Sequence, residues 1–146
     1  MTTPHLADDL KRDEGCKLTA YRDTLDIWTV GVGHAHVPPG TCWTQAQADE
    51  ALAADIAKAE ALLDANAPWW RSLNDARQDV MANLTFNMGW GNGSSGLSSF
   101  KRTLAFIKAG DFESGAGGLL SSKWAGQVHG RALRLATQLR TGIRST

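Results

Sequence analysis

Two carboxyl side chains and one hydroxyl follow each other at short intervals near the start of the chain. Glu14 lies nine residues before Asp23, and Thr29 lies six residues after it. Hydrolysis of a glycosidic bond uses two carboxyl groups, one protonated to donate to the leaving oxygen and one ionised to activate water or attack the sugar. A chain reversal after residue 14 would let the two carboxyls face each other across a gap. The spacing alone fits equally two ordinary solvent-exposed acids.

Local patterns predict a helix and then short strands around these residues. A helix is expected over about 6–14, with Gly15 as its C-terminal stop. Residues 18–36 are rich in β-favouring types and contain a turn candidate at 23–26, which predicts a small antiparallel sheet of two or three strands. The first carboxyl would then end a helix, the second would lie in a turn, and the hydroxyl would lie on the strand that follows.

The remainder of the chain has helical periodicity. Thr44 and Gln47 have the spacing of a capping box, and apolar residues then repeat at helical intervals to about residue 66. This predicts one long helix that connects the sheet to the helical remainder. Further helices are expected from Ser72 and over about 99–108, 111–120 and 128–139, with a Gly- and Ser-rich loop at 89–96.

Composition excludes several classes of protein. Apolar residues make up 42% and charged residues 21% of the 146 residues, which excludes wholesale disorder. The formal net charge is zero, which argues against a dedicated nucleic-acid binder. No apolar run approaches the ~18 residues that suggest a membrane span. Cys16 and Cys42 make neither a disulfide framework nor a four-ligand zinc site, and we expect no metal and no cofactor.

The segment from Glu14 to His34 resembles the catalytic region of the phage-type lysozymes, a family that includes many endolysins. The shared pattern is Glu, eight residues, Asp, five residues, Thr, and then an apolar-Gly-apolar-Gly-His strand. The resemblance extends along nearly the whole chain, because further segments match in order: Phe86-Asn-Met-Gly89, Trp124, Arg131-Ala132 and Arg140-Thr-Gly142.

This resemblance implies an α+β, two-lobed lysozyme-like fold in a single catalytic domain over 1–146. The β lobe would cover about 15–43, the inter-lobe helix about 44–66, and the helical lobe about 67–146 together with the N-terminal helix. The implied activity is that of a muramidase, or lysozyme (EC 3.2.1.17), which cleaves the β-1,4 bond between N-acetylmuramic acid and N-acetylglucosamine with inversion. Inversion corresponds to a carboxyl separation of roughly 6.5–9.5 Å.

The same resemblance implies roles for individual residues. Glu14 would be the general acid, Asp23 the partner carboxylate, and Thr29 a group that helps to hold the attacking water. A general acid must stay protonated near neutral pH, and burial favours the protonated form of a carboxyl.

Supporting and substrate-binding positions are implied as well. Arg131 would pair with Glu14, and His34 would form a structural pair with Asp55 on the long helix. Gly118 falls where relatives carry Asn, which predicts one missing polar contact to the glycan. Substrate-binding positions are matched by Ala35, Phe86 and Thr103, although a Phe at helical spacing also fits a core residue.

The implied partner is the glycan strand of bacterial peptidoglycan, bound by a monomer without nucleic acid or a membrane span. The first residues lack a basic segment followed by an apolar stretch. We therefore expect an endolysin that accumulates in the bacterial host cytoplasm and reaches the periplasmic cell wall after holin-type release. Two alternatives on the same fold remain open: a catalytically silent peptidoglycan-binding protein and a lytic transglycosylase.

Overall fold

A computed structural model describes residues 2–145 of the chain. Over these residues the chain forms seven α-helices and one three-stranded antiparallel sheet of order β1-β2-β3, which confirms the expected α+β class. The elements are α1 (His5–Glu14), β1 (Lys17–Arg22), β2 (Trp28–Gly31), β3 (His34–Ala35), α2 (Gln45–Asn66), α3 (Asp75–Met88), α4 (Lys101–Lys108), α5 (Phe112–Leu120), α6 (Lys123–Val128) and α7 (Gly130–Thr141). Among the described residues, no helix combines the length and apolarity needed to cross a bilayer.

The chain divides into two compact units, with the boundary inside α2 between Lys58 and Ala59. The smaller unit, Pro4–Lys58, contains α1, the sheet and the first part of α2. The larger unit contains the helices that follow and also includes Thr3 at its N-terminal end. The sequence grouped α1 with the helical lobe instead, and its division into lobes stays a prediction.

The register of the small sheet places three residues in one row. Tyr21 of β1 pairs with Thr29 of β2, and Thr29 pairs in turn with Ala35 of β3. Directly paired residues of antiparallel strands carry their side chains on the same face. Tyr21, Thr29 and Ala35 therefore form one row across the sheet, which we call the central row. The next pair of the hairpin, Arg22 with Trp28, lies on the opposite face because side chains alternate along a strand.

Local hydrogen bonds fix the ends of the two helices in the smaller unit. α1 ends where Gly15, at φ +74°, donates its backbone N–H to the Lys11 carbonyl at 2.9 Å. α2 begins with the expected capping box, because Gln47 N donates to Thr44 Oγ1 at 3.1 Å and Thr44 N donates to Gln47 Oε1 at 2.8 Å. Both boundaries follow from residues that lie within four positions of each other.

In the larger unit, α3 begins three residues later than the sequence predicted. The expected start at Ser72 is wrong, because Ser72 ends a 3₁₀ turn over Pro68–Ser72 and its hydroxyl donates to the Trp69 carbonyl at 2.7 Å. Asn74 caps α3 instead, accepting from Arg77 N at 3.0 Å. The 3₁₀ turn fully buries Trp70, and this burial outweighs the capping preference of Ser72.

The sequence also missed α6, a short helix capped by Ser122, which accepts from Ala125 N at 3.2 Å. The last helix then begins at Gly130, two residues after the expected start, because His129 adopts a positive φ of 46°. The Gly- and Ser-rich loop at 89–96 forms as expected. It is closed by backbone hydrogen bonds from Leu97 N to Gly89 O at 2.9 Å and from Ser98 N to Trp90 O at 2.8 Å.

Candidate active site

Asp23 is built into the turn of the β1–β2 hairpin. Its Oδ1 accepts hydrogen bonds from the backbone N–H groups of Leu25 at 2.8 Å and Ile27 at 2.9 Å. The Asp23 backbone N–H donates to the Ile27 carbonyl at 2.9 Å, and its carbonyl accepts from Asp26 N at 3.0 Å. An Asp side chain that bonds the backbone two residues on is a standard turn device. The turn therefore holds the carboxylate by one oxygen, while Oδ2 accepts no hydrogen bond from any residue within 2–145.

Glu14 is the last residue of α1, and its carboxyl lies against the backbone of Gly33. A Cβ atom added to Gly33 would lie 3.0 Å from Glu14 Oε2 and 3.2 Å from its Cδ. Gly33 also has a φ of +64°, in the left-handed region that disfavours other residues. A glycine is thus required at position 33 for two reasons: its backbone conformation and the close approach of the Glu14 carboxyl. The sequence pattern contained Gly33 but did not assign it this contact.

Thr29 lies in the middle of the central row and is only 2% exposed. Its Oγ1 donates to the Ile27 carbonyl at 3.0 Å, which leaves the lone pairs of the hydroxyl to accept from a water or a sugar. Ala35 occupies the next position of the same row and is half-buried. The sheet register therefore brings together two of the residues that the sequence predicted for the site.

Tyr21, the third member of the central row, is a site residue that the sequence analysis missed. Burial raises the pKa of its phenol above the ordinary value, and the carboxylates of Glu14 and then Asp23 raise this pKa further. The available signal was its position in a predicted strand, two residues before Asp23.

His34 and Asp55 lie together within the smaller unit. His34 Nδ1 is 2.7 Å from Asp55 Oδ2, and the side chains are 37% and 25% exposed. The Trp43 ring lies beside the imidazole, with centroids 5.2 Å apart. This geometry suits a link between β3 and α2. His36, two residues on, is exposed. Within residues 2–145, no group of three or more His, Cys, Asp or Glu side chains is arranged to hold a metal ion.

The remaining predicted residues belong to the larger unit. Arg131 is 6% exposed, and its Nε and Nη2 donate to Asn83 Oδ1 at 3.1 and 2.8 Å. Its predicted pairing with Glu14 stays a prediction, since the two residues belong to different units. Phe86 is half-buried on α3.

Thr103 is buried against Gly118. It is 6% exposed, and a Cβ atom on Gly118 would lie only 2.2 Å from Thr103 Oγ1. The absence of a side chain at 118 thus makes room for the threonine hydroxyl. A role for Thr103 in binding substrate stays a prediction, as it does for Phe86 and Ala35.

Comparison with known proteins identifies the family. The sequence matches the phage lysozyme family over residues 11–138. The chain belongs to the phage lysozyme family. Its fold is accordingly α+β and lysozyme-like, with the site residues on α1 and the sheet contained in the matched region.

Individual relatives align with different shares of this chain. An endolysin of Lactococcus phage c2 is 40% identical over 83 residues, which are 55% of this chain and 36% of the relative. The Pre-baseplate central spike protein Gp5 of Enterobacteria phage T4 is 28% identical over 164 aligned positions, covering 94% of this chain and 28% of the relative. Probable T4-type lysozyme 1 of Dictyostelium discoideum is 23% identical with 94% of both chains covered. The chain thus spans only about a third of the length of the first two relatives.

Proposed function

We propose that the chain is a peptidoglycan hydrolase that acts as a muramidase, cleaving the β-1,4 bond between N-acetylmuramic acid and N-acetylglucosamine. The observation that carries this proposal is the fixed placement of two carboxyls in the smaller unit: two backbone amides hold Asp23, and the Glu14 carboxyl lies against the backbone of Gly33. Two positioned carboxyls and a water suffice for glycosidic hydrolysis, and the reaction requires no cofactor. Family membership and the endolysin among the relatives support the same substrate class.

In the proposed mechanism, Glu14 donates a proton to the oxygen of the leaving sugar. Asp23, through its Oδ2, accepts a proton from a water that attacks the anomeric carbon from the opposite face. Thr29 Oγ1 accepts a hydrogen bond from that water and so fixes its direction. The glycosidic bond breaks as the new carbon–oxygen bond forms, which inverts the anomeric centre.

The decisive experiment for this proposal uses Glu14→Gln, because an amide cannot donate the required proton. We expect purified wild type to clear a suspension of bacterial walls, and Glu14→Gln to lose at least 95% of that rate. This is about a twentyfold fall, more than the tenfold change in rate that corresponds to about 1.4 kcal/mol of activation free energy. The melting temperatures of the two proteins should agree. Glu50→Gln, an exposed glutamate on α2, is the matched control and should clear walls normally.

Product analysis separates hydrolysis from the alternatives. In heavy-oxygen water a hydrolase places the label on the new reducing end, whereas a lytic transglycosylase releases an unlabelled anhydro sugar. Proton NMR at early times should show the anomer opposite to that of the substrate. Wall binding without clearing would instead identify a catalytically silent binding protein.

We further propose that the chain acts as an endolysin, accumulating in the host cytoplasm as a monomer and reaching the wall after holin-type release. Expression in a bacterial host should leave the culture turbid until a pore-forming holin is co-expressed.

A second candidate role, a catalytic part of a phage spike, is supported by the match of 94% of this chain to a spike protein. Mass spectrometry of purified particles of the encoding phage distinguishes the two, because only a spike component would be found in them.

A further inference from the structure

Tyr21 occupies the one position of the central row to which no function has been assigned above. It is half-buried and pairs directly with Thr29, whose hydroxyl lies on the same face. Asp23 follows two residues later, in the turn that begins directly after the strand. The phenol is thus placed beside the groups that would activate water.

The side chain is held by its ring and not by its hydroxyl. Lys17 Nζ lies 4.4 Å from the ring centroid, within cation–π distance. Within residues 2–145 the phenol oxygen has no hydrogen-bond partner. A fixed ring with an unused hydroxyl can offer that hydroxyl to a ligand.

The charge of the surroundings keeps this hydroxyl a donor. Burial, Glu14 and Asp23 each raise the pKa of Tyr21, so the phenol stays protonated over the whole range in which a lysozyme would work. A neutral donor also suits this place chemically. A phenol binds a sugar oxygen without adding charge to the site.

We propose that Tyr21 Oη donates a hydrogen bond to an oxygen of the sugar bound beside Glu14 and Asp23, and thereby contributes to turnover. This inference rests on the proposed glycosidase function and adds a substrate-contacting residue to it.

Tyr21→Phe tests the contact because it removes only the hydroxyl and retains the ring over which Lys17 lies. We expect kcat/KM on walls to fall roughly tenfold, the order of one lost neutral hydrogen bond, with an unchanged melting temperature. Trp28→Phe, which removes an indole N–H from the opposite face of the same hairpin, is the matched control and should keep wild-type activity. Full activity in Tyr21→Phe would overturn the proposal.

A second experiment asks whether the proton on the phenol is required. Tyr21 is the chain's single tyrosine, so growth on a fluorotyrosine whose phenol ionises near neutral pH labels this site alone. The ratio of kcat/KM of the fluorotyrosine protein to that of wild type should then fall as pH rises through the ionisation of the fluorinated phenol, because loss of the Glu14 proton affects both proteins alike. A ratio that stays constant with pH would show that the ring acts only as packing.

A third measurement is independent of activity. The ultraviolet absorbance of the single phenol reports its ionisation directly, and we expect it to titrate at lower pH in Glu14→Gln and in Asp23→Asn than in wild type. Titration at the wild-type pH in both variants would refute the geometry itself. Because wall clearing by wild type and Glu14→Gln is measured separately, failure of the glycosidase proposal would be seen there and not in this titration.

Discussion

The two compact units use their polar side chains in different ways. In the larger unit, several polar side chains bond to the backbone of neighbouring elements: Gln138 Nε2 donates to the Ala76 carbonyl at 2.7 Å, and Arg77 Nε donates to the Leu139 carbonyl at 2.7 Å. Others bond to side chains, as Arg131 does to Asn83. In the smaller unit, backbone N–H groups donate to one oxygen of Asp23 but not to the other. The hydroxyl of Tyr21 has no hydrogen-bond partner within residues 2–145.

This difference separates structural polar groups from groups that can bind a ligand. A buried polar atom that is not hydrogen-bonded destabilises the fold, so a helical core commits its polar side chains to internal partners. Atoms near the surface of a small sheet can remain uncommitted, because water replaces the missing partner until a ligand arrives. We therefore expect substitutions in the smaller unit to act mainly on chemistry and those in the larger unit to act mainly on stability.

The largest effect that sharpens this contrast is expected for Thr29→Glu. A carboxylate at this position would displace the attacking water and present its own oxygen at roughly the 5 Å carboxyl separation at which covalent glycosyl-enzymes form. The inverting site holds its water on the face opposite Glu14, so hydrolysis of the adduct from the Glu14 side should be slow, and we predict a stalled enzyme that carries a wall fragment. Mass spectrometry of the intact protein should show the added mass. Thr19→Glu, which places the same carboxylate at an exposed position of β1, is the control and should clear walls and stay unmodified.

Gly118→Ala should act on stability alone and by a smaller amount. The new Cβ would meet Thr103 Oγ1 at 2.2 Å, and we expect a net loss of about 1–2 kcal/mol because overpacking outweighs the helix propensity gained. Chemical denaturation measures this loss, and adding Thr103→Ala should recover most of it. Gly117→Ala, where nothing lies within 4 Å of the added atom, is the control and should stabilise slightly. Equal stabilities of the two single variants would mean that α4 and α5 separate easily.

His34→Asn tests a pair in the smaller unit that we regard as structural. Both side chains are partly exposed, so the lost interaction with Asp55 should cost less than about 1 kcal/mol. His36→Asn provides the control, since it changes an exposed histidine two residues away. Identical melting curves for wild type and His34→Asn would refute the pair.

The smallest effect is expected for Asp64→Asn in the larger unit. Hydrogen bonds from Arg71 and then Trp70 lower the pKa of Asp64 to about 2. A carboxyl with a lowered folded-state pKa stabilises the protein above its unfolded value of 3.8, and that contribution is lost as pH falls through about 2. The stability difference between wild type and the variant should therefore be constant near neutral pH and vanish in strong acid. A difference that does not shrink as pH falls from neutral towards 2 would contradict the assignment, and Glu50→Gln should show no such difference.

The sequence by itself determined the features that depend on neighbouring residues. The end of α1 at Gly15, the turn at Asp23 and the capping box of Thr44 each arise from hydrogen bonds that span only a few positions. The resemblance carried by Glu14, Asp23 and Thr29 also lies within one short segment, and the family match supports it. Local chemistry of this kind is readable because chain connectivity already holds the interacting groups together.

The tertiary structure alone decided which residues lie beside those groups. The register of β1 against β2 places Tyr21 opposite Thr29, and the close approach of Glu14 to Gly33 joins residues nineteen positions apart. The same is true of Thr103, which is buried against Gly118, fifteen positions along the chain. Such contacts depend on packing between elements distant along the chain, and residue type and spacing carry little information about them because many registers and packings satisfy the same pattern.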